Sequence, residues 1–256
     1  MSENSPQPSR LFSRAVVRLS PTDDSEDVAA FLQGLVTNDV TGNLPAYAAL
    51  LSAQGKTMFD FLVWPADNGQ LLLDCETDVA DDLVKRLSLY RLRRKISIER
   101  DEALGVYWQQ HSDSQPSSDE GAPDPRHADL GIRRIAKVCD TDRGADDAWL
   151  AHRLALGVTE GHAELGDILW LETNAVELNG VSFDKGCYIG QENTARMNWR
   201  QKINRRLVVV PLDQSPEKRR KHAYPQLGLA VDHLRIADID PTQVPAWQAS
   251  ALTPAD

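Results

Sequence analysis

One short stretch holds the densest set of reactive residues in the chain, Phe183-Asp184-Lys185-Gly186-Cys187-Tyr188-Ile189-Gly190-Gln191-Glu192. Two glycines bracket a cysteine, with a lysine just before and a Gln-Glu pair just after. The thiolate, not the thiol, attacks electrophiles and binds metals, and neighbouring positive charge favours it. Lys185 would supply that charge beside Cys187. If Gln191 or Glu192 opens a helix, the sulfur would also lie near the helix's positive end. Gly186 and Gly190 permit backbone conformations or close approaches that a side chain would block. The plainer alternative is a small apolar cysteine buried in a turn, the usual fate of a free cysteine. The flanking Lys, Gln and Glu weigh against it.

The chain has three cysteines, Cys75, Cys139 and Cys187, widely spaced. An odd count without paired spacing argues against a disulfide framework and suits a reducing compartment. It also rules out a zinc site or an iron–sulfur cluster held by four cysteines of this chain alone. Cys75 follows Leu71-Leu72-Leu73 and Cys139 follows Val138, so both read as packing residues. The six histidines show no metal-ligand spacing; His152 and His162 read as surface or hydrogen-bonded groups, and no stable metal site is expected.

With 256 residues the chain can bury a large core or divide into two or three small domains. Its hydrophobic share of 41% and charged share of 26% fit a soluble globular protein. A net charge of −10 argues against a dedicated nucleic-acid binder. Basic clusters exist all the same: Arg91, Arg93, Arg94 and Lys95; a second from Arg200 to Arg206; a third from Lys218 to Lys221. The third reads as a solvated face, whereas the first two could hold a small anionic ligand. Residues 1–14 carry no apolar core of a secretory signal, and the longest apolar runs are too short to span a bilayer. The cytoplasm is the expected location, or the mitochondrial matrix if the source is eukaryotic. No coiled-coil heptads are present, and a monomer is expected.

The elements that must carry these residues follow from the pattern. A strand is expected at 15–19, then a helix starting near 20–24 with Val28, Phe31, Leu32 and Leu35 at helical spacing. Residues 58–75 read as a β-hairpin around Pro65-Ala66-Asp67-Asn68-Gly69. A helix at 78–90 presents Val79, Leu83, Leu87 and Tyr90, and strands follow at 95–100 and 105–109. Residues 111–129 are rich in Ser, Pro and Asp and read as a flexible loop. A helix is expected at 146–156. Residues 169–172, 180–183 and 207–212 look strand-like, and 227–231 precedes a polar tail with few packing residues. Strands outnumber helices without alternating strictly with them, so the class is α+β with antiparallel sheets and flanking helices.

The string Lys185-Gly186-Cys187-Tyr188-Ile189-Gly190-Gln191-Glu192 resembles the K-G-C-Y-x-G-Q-E signature of the YgfZ-type folate-binding proteins, which include mitochondrial iron–sulfur assembly relatives. Further blocks resemble the family in the right order. They are the run from Phe31 to Val40, Gln54-Gly55-Lys56 with Asp60-Phe61-Leu62-Val63, Tyr90-Arg91-Leu92-Arg93-Arg94-Lys95, Asp124-Pro125-Arg126 with Leu130-Gly131, and Ala195-Arg196-Met197. The resemblance covers roughly Ser13 to Val210.

That family is similar to the aminomethyltransferase (T-protein) of the glycine cleavage system. The resemblance implies a cloverleaf around a tetrahydrofolate channel, with residues 1–46 plus 146–200 as a folate-binding core domain, 47–145 as a second α+β domain and 201–256 as a short β-rich segment. It implies tetrahydrofolate or a one-carbon derivative as cofactor. Glu172 would accept the paired donors of a pterin's amino-pyrimidine edge. Arg205 or Arg206 would meet the anionic tail, with Gln191 and Glu192 close by. Tyr188 and Trp170 would either wall the flat ring or pack in the core. Where the transferase carries adjacent aspartates, this chain reads Phe59-Asp60-Phe61, a single carboxylate, and the transferase lacks a cysteine like Cys187. The implied function is an accessory role in iron–sulfur cluster assembly or repair, with Cys187, Lys185 and Asp60 as the reactive set. The cluster would be held transiently, its other ligands coming from iron–sulfur carrier or client proteins or from small thiols. The alternative is a folate-dependent one-carbon transferase acting on an amine or a tRNA base. A folate-binding scaffold without catalysis is a third possibility.

Overall fold

The computed structural model describes residues 9–110, 121–199 and 203–252. The chain packs into two compact units. The first takes in Met1–Gln33, Val40–Ala46 and Phe61–Leu150, and the second Gly34–Asp39, Tyr47–Asp60 and Ala151–Asp256. The boundaries of these units differ from the three-part division implied by the family resemblance: most of residues 1–46 fall with 61–150, and residues 151–200 fall with 201–256. Residues 111–120 of the expected loop, residues 1–8 and Arg200 to Lys202 of the second basic cluster lie outside the described residues. Among the described residues no helix is long and apolar enough to cross a membrane.

In chain order the elements up to the middle are β1 (Ser9–Leu11), β2 (Arg14–Pro21), α1 (Val28–Gln33), β3 (Ala46–Leu51), β4 (Thr57–Pro65), β5 (Leu71–Glu76), α2 (Ala80–Arg91), β6 (Ile96–Arg100), β7 (Leu104–Gln109), β8 (Ala122–Pro123), β9 (Ile132–Lys137) and α3 (Asp146–Ala155). Within the first unit β5, β2 and β6 form an antiparallel ladder, with Leu19 opposite both Leu71 and Ile98. The second half of β4 adds to it, Phe61 lying opposite Cys75. A separate sheet runs in the order β1-β7-β9-β8. The expected hairpin, the strands after it and the helix with buried Leu83 and Leu87 are all present.

Helix α1 starts at Val28, later than the sequence suggested. Asp23 folds back on Ser25, and Asp27 accepts the Ala30 amide, so the cap falls at Asp27. The same acidic turn neutralises part of the first basic cluster. Arg94 Nε lies 2.5 Å from Glu26 and Lys95 Nζ 2.6 Å from Asp23, while Arg91 donates to the Ile96 carbonyl.

The first unit also buries charge. Asp74, fully buried on β5, accepts from Arg14 Nε at 2.6 Å and Arg133 Nη1 at 2.7 Å. Arg133 Nε lies 3.0 Å from Asp124, which also takes Arg126 Nη2 at 2.7 Å. The Arg133 guanidinium covers the Trp149 ring at 4.3 Å. Buried carboxylates are tolerable only when paired in this way. The Asp124-Pro125-Arg126 block, singled out as a family mark, is therefore structural.

The second unit holds β3 with the first half of β4, and then α4 (His162–Leu165), α5 (Gln191–Trp199), β10 (Arg205–Pro211), β11 (Arg220–Tyr224), β12 (Leu229–Arg235) and α6 (Ala246–Ala249). Its antiparallel sheet has the order β10-β12-β11. Two expected strands are absent. Trp170–Thr173 is a 3-10 turn ended by Asn174 at φ 65°, with only an isolated antiparallel bridge from Leu169 to Lys56 before it, and Gly180 folds back to the Ala175 carbonyl, so neither segment extends into a ladder. The tail after β12 also packs better than its polarity suggested. Ile239 and Leu252 join Val208 in a core, and Gln248 is fully buried, donating to the Leu207 carbonyl.

Candidate functional site

The cysteine-bearing loop lies in the second unit, immediately before α5, which begins at Gln191. Cys187 is exposed, as its polar neighbours implied, and Cys75 is buried against the Ala15 carbonyl. Cys139 departs from expectation: it is exposed on a turn, its Sγ 3.1 Å from Thr141 Oγ1. Val138 ends its apolar surroundings, because the polar turn Asp140-Thr141-Asp142 follows at once. The Thr141 hydroxyl and amide hold its thiol below the usual range.

Lys185 reaches across to another part of the unit. Its Nζ reaches the Val36 carbonyl at 2.5 Å and stands 5.1 Å from the Tyr188 ring centroid. Burial pulls its ammonium down to about 8, against the opposing charge of Asp39. The side chain clips the loop to the 36–39 turn, and Ser182 N, donating to the Thr37 carbonyl, strengthens the joint. Tyr188 is buried, and that burial raises its phenol. Gln191 is half-buried and Glu192 exposed on the first turn of α5.

Gly190 is where the loop meets the β3–β4 turn. Its φ is +81°, and an added Cβ would stand 2.5 Å from the Ser52 carbonyl oxygen and 3.1 Å from Gly55 Cα. Only glycine fits such an approach. Gly186, by contrast, faces open space with no positive φ, so it carries no such constraint. Gly55 has a second duty: its carbonyl accepts the Trp170 amide at 3.0 Å. One turn therefore anchors both the loop of Cys187 and the 3-10 turn that carries Glu172.

Trp170 itself is a core residue, 1% exposed. Its indole packs against Tyr47 at 5.5 Å and donates to the Gly180 carbonyl at 3.0 Å. Glu172 is 9% exposed, and its Oε2 lies 2.8 Å from His233 Nε2 on β12. Of the two arginines expected near it, Arg206 is buried and grips Glu177 at 2.6 and 2.8 Å, bracing the segment that follows Glu172. Arg205 is half-buried on the alternate face of β10.

Asp60 is buried, with Oδ1 accepting the Gly161 amide at 3.2 Å and Oδ2 the Tyr47 hydroxyl at 3.4 Å. The 157–161 segment that supplies this amide is held by a buried pair. Glu164 accepts from Arg153 Nη2 at 2.7 Å and Nη1 at 3.1 Å, from the Glu160 amide at 2.9 Å and from the Tyr224 hydroxyl. Burial opposes the charge on Arg153 while Glu164 sustains it, and the balance leaves the guanidinium above its ordinary value. Burial and Glu164 also push the Tyr224 phenol well up.

His233, Arg153, Glu164 and Tyr224 escape a reading of the sequence. None lies in a motif; Arg153 and Glu164 stand 11 positions apart, while Tyr224 and His233 meet their carboxylates 60 and 61 positions away. Among the described residues no group of three or more His, Cys, Asp or Glu is arranged to hold a metal ion.

No family model matches the chain. Among curated proteins it is similar to the iron-sulfur cluster assembly factor IBA57, mitochondrial, of Mus musculus, 35% identical over 80% of this chain and 66% of that protein. The Homo sapiens protein of the same name is 35% identical over 78% of this chain and 65% of its own length. A Neurospora crassa homologue of IBA57 is 29% identical over 78% of this chain. The chain thus spans just under two thirds of the mouse and human proteins. Among solved structures the fold is similar to the glycine cleavage system aminomethyltransferase T from Bartonella henselae, with a TM-score of 0.66 and 11% identity over 89% of this chain and 78% of that one. That likeness bears out the α+β aminomethyltransferase-like fold. On the extent and level of its identity to the mouse and human proteins, and in keeping with the signature around Cys187, the chain belongs to the IBA57 family.

Proposed function

We propose that this protein is a folate-binding accessory factor in iron–sulfur cluster assembly or repair, in which Cys187 is the working thiol. The observation that carries the reading is the shared anchor at the β3–β4 turn: an exposed cysteine loop packs against Ser52 and Gly55, and the turn bearing a buried carboxylate, Glu172, is hydrogen-bonded to the Gly55 carbonyl. The names of the curated relatives support the assembly role, and their mitochondrial designation supports a matrix location if this chain is eukaryotic. The residues fit the pterin half of a reduced folate in one respect. Glu172 is a carboxylate withdrawn from solvent yet with lone pairs to spare, the acceptor that paired N–H donors require. Bound folate would supply a one-carbon carrier next to the cysteine loop.

In this reading Lys185 and Gly190 hold the loop so that Cys187 stays outside, available to a cluster presented by a partner. The cluster is cargo, and one thiol supplies one ligand, so the remaining ligands come from an iron–sulfur carrier or client protein or from small thiols. Arg205, half-buried on β10, is the group for the anionic tail. A folate-dependent transferase, on an amine or a tRNA base, is the less favoured reading because Asp60 already accepts from Gly161 and Tyr47.

The test is complementation of a deletion strain with Cys187→Ser, Glu172→Ala and Asp60→Asn, assaying a cluster-dependent enzyme in each. Cys187→Ser should lose that enzyme's activity while melting like the parent and binding 5-formyltetrahydrofolate normally. Glu172→Ala should lose the folate. Full enzyme activity in cells carrying only Cys187→Ser would overturn the thiol's role.

A further inference from the structure

Glu172 and His233 come from segments far apart in sequence, yet both are held tightly. Glu172 rides on a 3-10 turn fixed by Gly55 on one side and by Arg206 and Asn174 on the other, Asn174 Nδ2 donating to the Leu207 carbonyl at 2.9 Å. His233 sits opposite Leu207 in the β10–β12 ladder. The same Leu207 carbonyl also takes Gln248 Nε2 at 2.7 Å, so the backbone beneath the histidine is bonded from both sides. The Nε2–Oε2 distance of 2.8 Å falls in the charge-assisted range, and the side chains are only 18% and 11% exposed.

We propose that His233 is the positioning residue for Glu172, fixing the carboxylate so that it recognises the 2-amino-pyrimidine edge of a pterin. The inference rests on the folate reading above and adds to it the residue that sets the specificity. A carboxylate next to Nε2 selects either the Nε2–H tautomer or the imidazolium, and both are donors. The carboxylate has about four lone-pair sites, of which the imidazole uses one. Enough remain on the two oxygens to accept from an exocyclic amine and the adjacent ring N–H. Without the imidazole, Glu172 would turn about its χ3 bond, a broad torsion with no sharp minima. It would also lose a donor that offsets the cost of covering the carboxylate with a ligand. The C-terminal sheet, which lies past the residues that carry the family signature, thereby becomes part of the binding site.

The experiment titrates the full chain with 5-formyltetrahydrofolate and with its analogue bearing a 2-methyl group in place of the 2-amino group, by calorimetry. His233→Leu should weaken 5-formyltetrahydrofolate about 10–100-fold, the scale of one hydrogen bond to a charged group. It should also erase most of the preference over the 2-methyl analogue. His233→Gln, which returns a side-chain N–H near the place of Nε2, should recover affinity and preference to within about threefold, which mere packing would not predict. His233→Leu binding as tightly and as selectively as the parent overturns the assignment while leaving folate binding intact. A parent that binds neither compound sinks the folate reading and this assignment with it. Should His233→Leu fail to fold, the imidazole ¹⁵N signals of the parent decide: a shift of His233 Nε2 on adding 5-formyltetrahydrofolate supports the role, and an unmoved signal overturns it.

Discussion

Replacing Glu164 by glutamine tests whether the second unit depends on its buried ion pair. Glu164 is fully buried and accepts from two Arg153 nitrogens, one backbone amide and one phenol. Glutamine keeps the shape and one oxygen but removes the charge and sets an NH₂ against a guanidinium. Removing one partner of a buried pair costs about 3–5 kcal/mol because the other charge is left without compensation. Arg153 keeps the Val158 carbonyl at 3.0 Å and a nearby negative charge in Glu160, so the lower end, about 3 kcal/mol, is expected. That is a large part of the roughly 5–15 kcal/mol that holds a domain together. Two compact units need not unfold as one, so amide hydrogen exchange resolved by segment is the assay. Protection in α4 and residues 157–161 should fall by about two orders of magnitude, since each 1.4 kcal/mol is tenfold, while β7 and β9 in the first unit stay as they were. Arg153→Met combined with Glu164→Leu should recover part of the loss, as paired apolar replacements often do. Protection in 157–161 unchanged within a factor of about two in Glu164→Gln would refute the reasoning, since that corresponds to under about 0.5 kcal/mol.

Lys185, with its ammonium pulled down to about 8 from the ordinary lysine value of 10.5, should reach half its acylation rate near the lower pH. Because the folded chain holds fewer protons there than the unfolded one between about pH 8 and 10.5, stability should climb across that window and lose that climb in Lys185→Met; a Lys185 that titrates near the ordinary value contradicts this. Iodoacetamide should label Cys187 and Cys139 in the folded protein and reach Cys75 only after unfolding, as peptide mapping will show. Gly190→Ala should cost about 2–3 kcal/mol from the positive φ and the Ser52 contact together, seen as a lower denaturation midpoint with a changed Cys187 labelling rate; melting like the parent would mean the loop does not need its close approach. Tyr107, whose phenol burial and Asp142 push up to about 12, contributes stability present below pH 10 and lost between about pH 10 and 12. Tyr107→Phe should flatten that alkaline decline in urea melts, and a slope identical to the parent's would exclude the phenol as its cause.

What could be read from the residues alone depended on whether the deciding partner was near in sequence. The Met58-to-Cys75 hairpin was visible because aromatic and branched runs flank a Pro-Ala-Asp-Asn-Gly turn, and the stripe of Leu83 and Leu87 declared its own helix. The exposure of Cys187 followed from its immediate polar neighbours. Leu169-Trp170-Leu171 misled for the same reason: a short apolar run satisfies strand and buried-turn patterns alike, and only the absence of a ladder partner separates them. The contact of Lys185 Nζ with the Val36 carbonyl was not legible, because that acceptor lies 149 positions away. The His233–Glu172 contact, 61 positions apart, belongs to the same class. Long-range polar pairing leaves no periodic trace.

Asp74 has a consequence for how the first unit assembles. Its carboxylate is gripped by arginines from β2 and β9, and side chains along a strand point to alternate faces. A one-residue slip of β5 would turn the carboxylate away from Arg14 and Arg133 and leave it buried without its ion-pair partners. Leu71, Leu72 and Leu73 impose no such penalty, since leucine suits either side of the sheet. The arginines thus work as proofreaders of strand alignment, rejecting the shifted sheets that a purely greasy segment would tolerate.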